Sequence, residues 1–182
     1  MNDSIQLTRN FRYVSEVYET CATMLQSADS CLHHDYGFSP YDWEAIYSSK
    51  KWRGVGTFRE WLPKFVVRQY YRPEHKDHEV LTLGALLWDE EVDQALSVAS
   101  FMKLSTVDRD EVYQWGLAQG WTKPVQADGS VREIEPDHVN LKLDRVSDGK
   151  ILSVATPLTE ITETGKLLAA VKPLLQYVHE KH

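Results

Sequence analysis

With 182 residues, 42% of them hydrophobic and 26% charged, the chain is long enough to bury one core, and its composition excludes disordered, collagen-like and disulfide-stapled classes. Twenty basic residues against 27 acidic ones leave a net charge of −7, which disfavours indiscriminate binding to nucleic acid or anionic lipid. No run approaches the roughly 18 apolar residues of a membrane-spanning helix, and the opening lacks the basic start and apolar core of a secretory signal.

Phe11, Val14, Val17, Tyr18, Cys21, Leu25, Ala28 and Leu32 recur at three and four, which predicts a helix over 9–35, capped by Thr8 and stopped by Gly37. Cys21 and Cys31, ten residues apart on that helix, would lie about 15 Å apart along its axis, too far for a disulfide. Free thiols and no export signal point to a reducing cytoplasm. Ser39 before Pro40 reads as the N-cap of a short helix over 42–49, 50–56 as loop, and Thr57 with Glu60 as a capping pair closed by Pro63.

Strands follow. The β-branched and aromatic run 65–71 predicts one, and 80–88, apolar at both parities, a central strand covered on both faces. Leu96, Val98, Met102 and Leu104 share a face of a third, so the three form an antiparallel meander. A middle helix over 108–119 is bracketed by Asp108, Glu111 and Gly120. Asp128-Gly129 and Asp148-Gly149 read as hairpin turns, the second joining Val139, Leu141 and Leu143 to 151–155. The tail 159–182 is helical, with Pro173 kinking or splitting it.

The expected fold is therefore a single α+β domain over 1–182: an antiparallel sheet, meander plus hairpins, with a long N-terminal helix, a middle helix and a C-terminal helix packed mainly on one face. This order of elements is similar to that of small acidic bacterial secretion chaperones, although the material between the first helix and first strand, and the Asp128-Gly129 hairpin, depart from that plan. The likeness implies a plan of folding and carries no residue-level role.

Charge is distributed unevenly. Between Lys50 and Lys76 eight cations face only Glu60 and Glu74, and an acidic stretch with Asp77, Glu79, Asp89, Glu90, Glu91 and Asp93 follows directly. Trp52, Phe58, Trp61, Phe65, Tyr70 and Tyr71 interleave with those cations. Arginine and tryptophan dominate the energetics of protein interfaces, and cations beside stacking rings also hold single-stranded nucleic acid. The alternative is an aromatic core with a solvated basic rim.

Catalytic motifs are absent: no nucleophile elbow, Walker loop, dinucleotide fingerprint or His-Glu-x-x-His occurs. Arg53-Gly54-Val55-Gly56-Thr57 lacks the preceding strand of a phosphate loop. His33, His34, Asp35, His75, Asp77 and His78 do not make a three- or four-ligand zinc set, and Lys142 with Asp144 reads as exposed strand charge. The reading is a non-enzymatic cytoplasmic binding module, a chaperone, immunity or regulatory partner, contacting another protein through Trp52, Arg53, Arg59, Trp61 and Arg68, with no metal, cofactor or membrane partner. Alternatives are a single-stranded nucleic-acid binder using the same segment and a small metal-dependent hydrolase centred on the histidines. A two-fold pairing would use the long first and last helices.

Overall fold

The computed structural model describes residues 2–40, 47–48, 65–72, 78–87, 93–104, 127–134, 146–161 and 164–180. Helix α1 (Asn2–Ser27) is followed, after a turn at Ala28, by α2 (Asp29–Tyr36). Strands β1 (Ser39–Pro40), β2 (Tyr47–Ser48), β3 (Phe65–Arg72), β4 (His78–Leu86), β5 (Leu96–Leu104), β6 (Arg132–Ile134) and β7 (Val146–Pro157) come next. A 3₁₀ turn at Leu158–Glu160 precedes the last helix, α3 (Thr164–Glu180).

All described strand pairings are antiparallel, in the order β1-β3-β4-β5-β7-β6, with β2 sharing the β1 edge of β3. The meander β3-β4-β5 runs in unbroken register from Phe65↔Leu86 to Arg72↔Glu79 and from His78↔Leu104 to Leu86↔Leu96. Val66, Tyr70, Leu81, Leu83, Ala85, Ala99, Phe101, Leu152 and Val154 share one sheet face. They pack with Cys21, Leu25, Ala28 and Leu32 of α1 and α2 and with Leu167, Val171, Leu174 and Val178 of α3. Burying each large aliphatic side chain here contributes about 1.5–3 kcal/mol. The opposite face is buried too, with Val67, Leu86, Leu96, Val98 and Ala155 forming a second cluster. The α+β sheet with terminal helices on one face is thus as expected, and β4 is the doubly covered central strand.

Four local expectations are corrected. The first helix starts at Asn2, so Thr8 lies inside it rather than at its cap, and it is interrupted at Ala28. There the Tyr70 hydroxyl lies 3.0 Å from the Leu25 carbonyl, supplying from the sheet a partner at the point where the helix ladder breaks. Ser39–Pro40 and Tyr47–Ser48 are edge strands, not a helix cap and helix end. The β3 edge outcompetes the local capping signal, and Pro40, which has no N–H, is tolerated on such an edge.

Asp148-Gly149 makes no hairpin: both residues lie inside β7. They fall where Met102 and Leu104 pair with Ile151 and Val146, so five steps on β7 face two on β5. The Asp-Gly pair falls within this register shift. Finally, α3 begins at Thr164 and passes through exposed Pro173 without dividing; a proline on the solvent side frees a carbonyl that water can satisfy. The Asp128-Gly129 turn is present, with Gly129 at φ +71° and its N–H donating to the Ala155 carbonyl at 2.9 Å. The short helix over 42–46, the 57–60 turn, the middle helix 108–119 and the strand 139–143 lie outside the described residues.

Candidate functional site

A left-handed glycine sets up the site. Gly37, at φ +72°, ends α2 and lets its own N–H reach the His33 carbonyl at 3.1 Å and that of Phe38 reach the Leu32 carbonyl at 3.0 Å. The chain then turns Phe38 into the core, edge-on to Phe101 at a 6.4 Å ring separation. The Arg72 guanidinium lies over the outer face of the Phe38 ring, 4.9 Å from its centroid.

Arg72 ends β3 on the helix-covered side, directly across from Glu79 of β4, which stands across from Lys103 of β5. The three charges form a cation–anion–cation row over three strands. Glu79 is only 1% exposed. It accepts from Arg72 Nε at 2.5 Å, pairs with Arg72 Nη2, and has Lys103 Nζ at 3.8 Å. Arg72 Nη1 donates to the Tyr36 carbonyl at 3.3 Å. Three of its five N–H groups are thus engaged with described residues.

Above this row a cleft of about 350 Å³ opens between the end of α2 and the last turns of α3. Asp35, Phe38, Arg72, Leu175, Gln176 and His179 line it, with Tyr36 and Val178. Apolar walls with a pinned guanidinium, an amide and a carboxylate suit a side chain or chain end carrying an oxygen acceptor. Among the described residues no group of three or more His, Cys, Asp and Glu converges to hold a metal ion.

Of the residues expected to bind, Trp52, Arg53, Arg59 and Trp61 lie outside the described set, and Arg68 is 1% exposed beneath the helices. Arg68 Nε and Nη2 donate to Asp29 Oδ1 and Oδ2 at 2.7 and 2.6 Å, and the Tyr70 hydroxyl lies 3.0 Å from Oδ1. Burial alone would lower the Arg68 pKa, but the hydrogen bonds and charge of Asp29 outweigh it and the net shift is upward. Burial, reinforced by Asp29, pushes the Tyr70 phenol well above its ordinary range.

Arg68 therefore clamps α2 to β3, while Arg72, four residues on at the same strand parity, reaches the cleft. Arg72 was one cation of eight in the sequence, and Asp29, Phe38, Gln176 and His179 carried no signal there. The alternation Val66, Arg68, Tyr70, Arg72 on a strand was the one available hint that two of the cations face inward.

Among the described residues the histidines do not converge. His33 and His34 sit edge-to-face, 5.3 Å apart, on the exposed end of α2, with His33 Nδ1 3.1 Å from Ser39 Oγ. His75, Asp77, Lys142 and Asp144 lie outside the described residues, as does the side chain of His78. Cys21 and Cys31 are free thiols. No described helix is long and apolar enough to cross a membrane. Comparisons of the chain with protein-family models, curated proteins and solved structures gave no match.

Proposed function

We propose that the protein is a non-enzymatic cytoplasmic binding module, a chaperone, immunity or regulatory partner in kind. Its surface is the basic, aromatic segment 50–76 together with the cleft where β3 ends. The observation that carries this reading is Arg72, a cation of that segment fixed by Glu79, Tyr36 and Phe38 and lining an open cleft of about 350 Å³. An arginine immobilised before binding loses little entropy on contact, which is the condition for a strong interface anchor. The two free thiols support a reducing compartment.

The test is an affinity capture from host lysate with three baits: wild type, a Gln176→Arg/His179→Glu variant that fills the cleft, and an Arg53→Glu/Arg59→Glu variant. Arg68 is left intact because its replacement would unfasten α2. A protein held by wild type and lost by both variants supports the reading. Recovery that disappears on nuclease treatment and falls steeply with salt transfers the segment to nucleic acid. Equal recovery by all three refutes the proposed surface.

A further inference from the structure

Two opposite charges border the cleft without pairing with each other. Asp35 stands near the end of α2 and Arg72 at the end of β3, and both line it. Among the described residues Arg72 pairs with Glu79 and not with Asp35, while Asp35 Oδ2 accepts the Cys31 thiol at 2.9 Å. The two groups are still neighbours, because the Tyr36 carbonyl that receives Arg72 Nη1 at 3.3 Å belongs to the residue next to Asp35. The apolar part of the lining is buried, with Phe38, Leu175 and Val178 each at most 4% exposed. Asp35, Gln176 and His179 are exposed and form the rim. With Glu79 and Lys103 behind Arg72, the row and the rim bring together two cations and two anions. The complement of such a site carries both signs and no net charge.

We infer that the cleft is a site for a zwitterionic α-amino acid with an apolar side chain. The amino acid's carboxylate meets the Arg72 guanidinium, its ammonium meets Asp35, and its side chain lies on Phe38, Leu175 and Val178. One carbon separates the two charged groups of such a molecule, which matches a wall where Asp35 and the carbonyl holding Arg72 belong to consecutive residues. A lone acidic side chain would meet Arg72 but face Asp35, and a lone basic one would meet the reverse. A cleft of about 350 Å³ is at the small end of ligand pockets, roughly 300 to 1,000 Å³, a size that suits an amino acid. The stacking of Arg72 on Phe38 and its bonds to Glu79 and Tyr36 fix the guanidinium before the ligand arrives, so little entropy is lost on contact. The inference rests on the cleft being a binding site, as in the proposed function, and does not need a protein partner.

Ligand-observed NMR titration of the full chain with L-leucine, L-isoleucine, L-valine, L-methionine and L-phenylalanine tests this. Each is compared with its own deaminated, decarboxylated and N-acetylated forms, so that 4-methylpentanoate, 3-methylbutylamine and N-acetyl-L-leucine stand beside leucine. At least one of the five binds saturably and at least tenfold more tightly than each of its three analogues. Asp35→Asn, at an exposed position, brings its affinity ratio over the deaminated form toward one, with unchanged near-ultraviolet dichroism. Arg72→Lys keeps a cation beside Glu79 but loses the planar fork, and weakens binding of the amino acid at least tenfold. Absence of saturable binding by all five at tens of millimolar overturns the inference. Equal binding of the N-acetylated form, the signature of a polypeptide chain end, overturns it as well, as does an unchanged ratio in Asp35→Asn. A protein captured through the cleft while none of the five binds leaves the proposed function standing and removes this inference. Binding of an amino acid with no protein captured does the reverse.

Discussion

Asp29, the first residue of α2, receives two parallel bonds from Arg68 in the middle of β3, 39 positions away in sequence and with Arg68 only 1% exposed. A fork-to-fork pair of this kind fixes both direction and distance. It holds the helix break at Ala28 over the sheet and so determines where the Gly37 turn, Phe38 and Arg72 fall. Removing one partner strands a buried charge. Asp29→Ala is therefore expected to cost about 3–5 kcal/mol in urea unfolding, while the apolar double variant Asp29→Leu/Arg68→Met costs far less. Equal losses in the two would show that the pair contributes by packing and not by charge.

Glu79 makes the second buried pairing, and its two cations are not equivalent. Arg72 meets it through two nitrogens, one at 2.5 Å, whereas Lys103 stays at 3.8 Å. Glu79→Ala leaves Arg72 without its anchor and is expected to destabilise the fold by about 3–5 kcal/mol, against about 1 kcal/mol or less for Lys103→Met. Thermal melts of the two variants side by side check the ranking. Glu79→Ala also loosens the guanidinium over Phe38, so binding through the cleft weakens even at temperatures where the variant is folded.

The sheet was legible because its signals are repetitive: β-branched and aromatic residues through 65–71, apolar residues at both parities in β4, and a shared face in β5 each span many residues. The misreadings are short signals overruled by tertiary partners. Ser39-Pro40 has the chemistry of a helix cap, yet the open edge of β3 takes it as strand. Asp148-Gly149 has the chemistry of a hairpin, yet the chain continues as one strand through it, pairing with β5 on either side at Val146 and Ile151. Arg68 was counted with the surface cations because composition cannot show that Asp29, far off in sequence, waits on the helix above it. The cleft was invisible for the same reason: it joins residues from α2, β3 and α3.

The Asp128 turn predicts an acid-sensitive contribution. Its carboxylate accepts the Ser130 hydroxyl, the Ser130 N–H at 3.0 Å and Arg132 Nη2 at 2.7 Å, which together hold its pKa down to about 2. A folded value below the unfolded one, about 4, means the carboxylate supports folding above pH ~4 and loses that support as pH falls toward about 2. The melting gap between wild type and Asp128→Asn should accordingly be open at pH 7 and closed at pH 2. A gap of constant size across that range would show that the turn does not depend on the charge.

Cys31 behaves in the opposite sense. Its thiol donates to Asp35 Oδ2 at 2.9 Å, and this bond, with burial and the Asp35 charge, raises its pKa to about 11. The raised value means that the protonated thiol supports folding and that the support fades as pH rises from about 8.5 toward 11. Only the thiolate reacts, so at pH 8 alkylation of Cys31 should run about tenfold slower than that of a free thiol, the higher nucleophilicity of a more basic thiolate offsetting part of its scarcity. Asp35→Asn removes the acceptor charge and should restore most of that rate at unchanged exposure. Mass spectrometry after timed iodoacetamide treatment resolves the two sites, with buried Cys21 as the internal slow reference. If Asp35→Asn reacts no faster than wild type, access to Cys31 and not its protonation controls the chemistry. Asp35 would then be a wall of the cleft without influence on the thiol beside it.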